Sequence, residues 1–138
     1  MAMIGPERVD SVTLPEVDIV ASIKMPDSDE KGAYSATTIG RAALENRHIN
    51  SVKELTSTVP NFYQPDYGSR MTSSVYVRGF GSRIDQPVVG MNIDEVPVLN
   101  KNNYDFDLFD IDRVQVVRGA QGALYGRNTS GGAINVYT

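Results

Sequence analysis

Reactive side chains are scarce in this 138-residue chain, and their scarcity narrows the chemistry. Cysteine is absent and His48 is the only histidine, which excludes thiol nucleophiles, disulfides, thiolate metal sites, Cys–His dyads and sites needing two imidazoles. His48 follows Arg47 and precedes a candidate helix cap, so a solvated imidazole is expected. Asp105, Asp107, Asp110 and Asp112 suggest calcium at first, but no Gly occupies the sharp-turn position and no Glu closes an EF-hand loop. The interleaved Phe106, Leu108, Phe109 and Ile111 read instead as buried neighbours of a solvated edge, and no metal site is expected. Glycines at 119, 122, 126, 131 and 132 imitate a phosphate cradle, yet the Gly-Lys-Ser/Thr ending and the Gly-x-Gly-x-x-Gly spacing are both missing. No segment sets paired carboxylates in a supporting frame, so no catalytic residue and no cofactor are expected.

These residues need a frame, and 138 residues suffice for one domain with one core. A hydrophobic share of 41% and a charged share of 22% match soluble globular domains, and no apolar run approaches the ~18–20 residues of a spanning helix. A net charge of −4 argues against nucleic acid, because phosphate neutralisation needs clustered Lys and Arg. Met1–Pro6 lacks the pattern of a signal peptide.

Residues 1–33 carry Pro6, Pro15 and Pro26 and one alternating stretch, Val17–Ala21, and read as a mobile arm with one possible strand. The folded domain is expected over 34–138. Ala36–Ile39 is strand-like, Arg41–Glu45 is rich in helix formers, and Asn50 or Ser51 can cap a helix carrying Val52 and Leu55 that Pro60 closes. Asn61–Ser73 reads as a loop holding aromatic rings. Val75–Arg78 and Val88–Ile93 suit an antiparallel pair, a helical turn is expected near Phe109, and Arg113–Val117 is the next strand. The glycine-dense end suggests tight turns around a short helix at Ala120–Leu124, then a strand through Ile134 and Val136. Strands and helices mix without a βαβ repeat, so the fold class is α+β: a small mixed β-sheet with short helices and long loops.

The runs Val75-Tyr76-Val77-Arg78-Gly79-Phe80, Met91-Asn92-Ile93-Asp94-Glu95-Val96-Pro97-Val98, Ile111 to Gly119, Leu124-Tyr125-Gly126 and Gly131 to Val136 resemble, in order and spacing, the plug domain of TonB-dependent outer-membrane receptors. The resemblance covers residue 16 onward. It departs where that family usually has Asp-Gly and this chain has Asp94-Glu95, so that turn is expected to differ locally, and where Gly-Pro is replaced by Gly119-Ala120.

The resemblance implies a plug held inside its own C-terminal β-barrel, absent from these residues, in a bacterial outer membrane, while the isolated domain would be soluble. It implies active transport of a small extracellular ligand, a siderophore-like metal chelate by the wording of the motifs. The C-terminal domain of TonB would pair with an extended TonB box, best matched by Glu16, Val17, Asp18, Ile19 and Val20, with Val9–Thr13 the second candidate. Arg78 and Arg118 align with plug arginines that pair with acidic side chains of the barrel wall, a task suited to a planar, permanently charged fork. Tyr63, Gln64, Tyr67, Arg70, Asn102, Asn103 and Tyr104 fall on the outward, ligand-facing loops. A free-standing periplasmic binding or adaptor module with a plug-like fold is the alternative.

Overall fold

The computed structural model describes residues 35–70, 74–82 and 86–138. The N-terminal arm, with both candidate TonB-box segments and the strand expected at Val17–Ala21, lies outside the described residues.

Five strands form the main sheet in the order β1-β7-β8-β5-β6: β1 Ser35–Gly40, β5 Val89–Ile93, β6 Val96–Pro97, β7 Arg113–Arg118 and β8 Gly132–Tyr137. All neighbours are antiparallel except β5 and β8, which run parallel from Val89↔Gly132 to Ile93↔Val136. A second sheet of three two-residue strands joins β2 Phe62–Tyr63, β3 Tyr76–Val77 and β4 Phe80–Gly81.

Side-chain alternation sorts the main sheet into two faces. Ile39, Val89, Met91, Val114, Val116, Ile134 and Val136 share one core with Leu44, Val52, Leu55, Val59 and Phe62. Val114, Val116, Ile134 and Val136 are fully buried, and each contributes roughly 1.5–3 kcal/mol relative to exposure. On the opposite face Gln115, Asn135 and Asn92 stand directly opposite one another across three strands. The Asn92 amide donates to the Asn135 side-chain oxygen at 2.9 Å, and the Asn135 amide donates to the Tyr125 hydroxyl at 3.0 Å. Tyr125 comes from the short helix α2, Gly122–Tyr125, which rests on this face beside Val117 and Ala133.

Local chemistry ends the other elements. Helix α1, Arg41–Asn46, closes on His48 at φ 53, where the His48 amide donates to the Glu45 carbonyl (3.1 Å) and the Ile49 amide to the Leu44 carbonyl (2.9 Å). That is a Schellman closure with the only histidine at the left-handed position. The helix expected from Val52 and Leu55 is a 3-10 helix, Val52–Ser57, and the Glu54 carboxylate accepts from the amides of Asn50 and Ser51 ahead of it, as the Glu of a Ser51–Glu54 capping box.

Four expectations are corrected. Val75–Arg78 and Val88–Ile93 do not pair: β3 pairs with β2 and β4, while β5 takes β8 and β6, because Arg78-Gly79 makes a two-residue hairpin that brings Phe80 opposite Val77. Pairing therefore begins inside the segment expected to be a loop, at Phe62–Tyr63. No helical turn forms at Phe109, where Asp110 turns the chain at φ 53; the 3-10 helix lies at Lys101–Asn103 instead. Phe109 is 73% exposed rather than a buried neighbour of the acidic edge, whereas Leu108 and Ile111 are buried.

Candidate functional site

Two turns set the cleft at one end of the molecule. At the β3–β4 hairpin Arg78 and Gly79 both take positive φ (52° and 79°), the left-handed pair of a type I′ turn. The Arg78 amide donates to the Asn61 carbonyl at 2.8 Å, which ties the hairpin to the chain entering β2. Between them opens a cleft of ≈ 570 Å³ whose walls include Tyr63, Pro65, Tyr67, Tyr76 and Arg78. The rings of Tyr63 and Tyr76 lie 6.3 Å apart at 42°, and Tyr63 and Tyr67 are 55% and 41% exposed.

The loop that carries Tyr67 is stapled by charge. Lys53 binds Asp66 at 2.9 Å, the second Asp66 oxygen accepts the Gly68 amide at 2.9 Å, and Arg70 binds Asp107 at 2.7 Å. The hydrogen bond from Lys53, then that from Gly68, holds the Asp66 carboxyl below the usual carboxylate range, and Arg70 does the same to Asp107. Lys53 is raised in turn by its bond to Asp66. These pairs are solvent-exposed, so they orient the loop more than they stabilise the fold.

Arg118, at the end of β7, donates from Nε to the Ser35 hydroxyl (3.1 Å) and from Nη1 to the Pro60 carbonyl (3.0 Å). Partial burial and then the nearby Arg78 push its pKa down. The Arg78 guanidinium reaches the same spot, 3.9 Å from where a side chain on Gly119 would begin. Two guanidinium groups thus share one corner, and among the described residues neither meets a carboxylate.

Of the residues expected to face a ligand, Tyr63 and Tyr67 share the cleft with Arg78, and Arg70 is exposed but engaged with Asp107. Asn102 and Asn103 are exposed on the 3-10 helix, whose first turn is capped when Asn100 Oδ1 accepts from the Asn102 amide. Two expectations are corrected. Tyr104 is only 1% exposed and packs in the core, because the 3-10 helix turns its ring inward. Gln64 is 4% exposed, directed inward by the strand alternation that leaves Tyr63 outside. Tyr76, which completes the aromatic wall, was legible from its alternation with Val75 and Val77; Lys53 and Asp66 carried no comparable signal.

An aromatic wall beside a guanidinium can stack a planar group and pair an anion, but it offers no general base or nucleophile. Among the described residues no group of three or more His, Cys, Asp or Glu side chains could hold a metal ion, and no helix is long and apolar enough to cross a membrane.

Known proteins resemble this chain in sequence and fold. The chain is 30% identical over 122 residues to the pesticin receptor of Yersinia pestis, covering 87% of this chain and 18% of that one. It is likewise 30% identical over 115 residues to the vitamin B12 transporter BtuB of Vibrio vulnificus strain CMCP6, covering 75% and 17%. The crystal structure of the ferric yersiniabactin uptake receptor FyuA from Yersinia pestis superposes with a TM-score of 0.70 at 30% identity, over 76% of this chain and 17% of that one. The chain thus spans a fifth or less of the length of the curated relatives it matches. A family model described as the TonB-dependent Receptor Plug Domain matches residues 28–133, and with the mixed sheet in view, this chain belongs to that plug-domain family.

Proposed function

We propose that this chain is the gating and ligand-recognition plug of an outer-membrane active transporter that takes up a siderophore-like metal chelate, working by displacement rather than bond chemistry. The observation that carries the reading is the corner where Arg78 and Arg118 lie together without a carboxylate among the described residues. Two like charges held side by side are costly unless an outside partner compensates them, and acidic side chains of a surrounding barrel would do so. The name of the ferric yersiniabactin uptake receptor supports a chelate as cargo, and Tyr63 and Tyr67 give a cleft with aromatic surface for contact. Coupling would run through the TonB box, Glu16–Val20 or else Val9–Thr13, to the TonB C-terminal domain.

The test is chelate uptake by the full-length receptor in cells, comparing Arg78→Ala and Arg118→Ala with the parent. Arg78→Ala is expected to leave the isolated chain within about 1 kcal/mol of its stability, since no ion pair among the described residues is lost, whereas Arg118→Ala also gives up its bonds to the Ser35 hydroxyl and the Pro60 carbonyl and is expected to cost about 1–2 kcal/mol. In the receptor, both are expected to reduce gating of the pore, seen as entry of large antibiotics that the parent excludes. Equal exclusion by the parent and the double variant would overturn the assignment of the corner to the barrel wall.

A further inference from the structure

A row of three residues crosses the small sheet. Tyr63 stands opposite Tyr76 across β2 and β3, and Tyr76 stands opposite Gly81 across β3 and β4. Directly opposed residues share one face with side chains about 4.5–5.5 Å apart at their roots, so the Tyr76 ring has a second ring on one flank and no side chain on the other. The ring takes the empty flank. A Cβ built on Gly81 would collide with it, falling 2.7 Å from Tyr76 Cε1, 2.6 Å from Cγ and closer still to Cδ1, so the ring lies across the Gly81 backbone. Rings laid over edge-strand glycines recur in β-sheets, and β4 is an edge of the β2-β3-β4 sheet.

The backbone does not require glycine here. Gly79, two residues earlier, takes φ 79° in the hairpin turn, whereas Gly81 is not among the glycines with positive φ. What position 81 excludes is a side chain, and the packing that a side chain would break is that of Tyr76. Because the collision extends to Cγ, at the root of the ring, a small tilt would not relieve it. The ring would swing as a whole, toward the flank held by Tyr63. Tyr63, Tyr67 and Tyr76 wall the cleft of ≈ 570 Å³, so that swing would narrow it.

We infer that Gly81 determines specificity as a positioning residue: through Tyr76 it holds the cleft wide enough for the planar aryl group of an anionic ligand, up to two fused rings. The volume falls within the roughly 300–1,000 Å³ of small-molecule sites. The ligand chemistry follows from the walls, where Phe62, Tyr63, Tyr67 and Tyr76 accompany Arg78, and no Asp or Glu is among the described lining residues. Aromatic faces stack a planar ring, and a guanidinium pairs an anion. The inference rests on the proposed role of this cleft as the surface that contacts ligand.

The experiment is an NMR titration of the labelled 138-residue chain with benzenesulfonate, which has one ring, and naphthalene-2-sulfonate, which has two. The parent and Gly81→Ala are compared, and the same pair is compared again in a Tyr76→Val background. Saturable shifts at Tyr63, Tyr67 and Arg78 are expected in the parent with both anions. In Gly81→Ala, naphthalene-2-sulfonate should weaken by about tenfold and benzenesulfonate by less than about twofold, a change in ratio that a general loss of stability would not produce. In the Tyr76→Val background, adding Gly81→Ala should leave both affinities unchanged. The parent supplies a readout that needs no variant, because a ring lying over Gly81 shifts its Hα resonances upfield. Equal weakening of both anions, no weakening, the same loss without the Tyr76 ring, or Gly81 Hα resonances at ordinary positions would each overturn the inference while leaving the cleft as a ligand surface. Absence of saturable cleft shifts in the parent would overturn the reading of the cleft itself, and the inference with it.

Discussion

Tyr104 carries a cost that a purely structural residue would not. Burial pushes its phenol up to about 12, the Met91 backbone pulling only slightly the other way, because a phenolate in the core would lose its hydration. Its folded pKa thus lies above the unfolded value of 10.0. The stabilisation this represents is fully present below pH 10 and is lost as pH rises through the folded pKa, since the unfolded chain releases the proton first. Unfolding free energy is expected to fall by about 2–3 kcal/mol between neutral pH and pH 12 from this group. In Tyr104→Phe that part of the alkaline loss should vanish, while stability at pH 7 stays within about 1 kcal/mol, since the hydroxyl gives up one neutral contact to the Met91 backbone. Urea titrations of both proteins at pH 7 and across pH 10–12 check this; parallel pH profiles would show that Tyr104 ionises in contact with water.

Among the elements, the turns carry the local strain. Asp94 and Glu95 take φ of 46° and 68° in the two-residue connection from β5 to β6, and Asp94 is held by the Thr138 amide and hydroxyl at 3.0 and 2.7 Å. Glu95 therefore occupies a left-handed position that costs an L-residue about 1 kcal/mol. Glu95→Gly is expected to stabilise the chain by roughly 0.5–1 kcal/mol, read as a higher denaturant midpoint at unchanged slope. Gly132 is the opposite case: a Cβ there would sit 2.4 Å from the Val117 carbonyl oxygen, backbone that β7–β8 pairing holds in place. Gly132→Ala should destabilise by about 2–3 kcal/mol, and an unchanged thermal midpoint would contradict the close approach. Sequence periodicity made β7 and β8 legible, since Val114, Val116, Ile134 and Val136 serve one core face, whereas β1 was legible only from the strand-like residue types of Ala36–Ile39. It could not reveal that β3 turns back at Arg78-Gly79 instead of reaching β5, because a two-residue strand has no period to read. Gln64 and Tyr104 were misplaced for a related reason: loop composition announces polarity, but the alternation running on from β2 turns Gln64 in, and the 3-10 helix Lys101–Asn103 turns Tyr104 in.

At the scale of the whole molecule, Phe80, Phe109 and Leu99 are 68%, 73% and 62% exposed, and the arginine corner meets no carboxylate among the described residues. The proposed seat inside a barrel would account for both features at once, because the outer surface of a plug would then face a protein wall instead of water. The family was legible from the spacing of glycines and short motifs, whereas the coupling segment falls outside the described residues. The most direct measurement is therefore an NMR titration of the labelled chain with the periplasmic C-terminal domain of TonB. Shifts confined to residues 9–20 are predicted, by strand addition at a TonB box. No shift at millimolar partner would contradict the account of a plug drawn from its N-terminal arm.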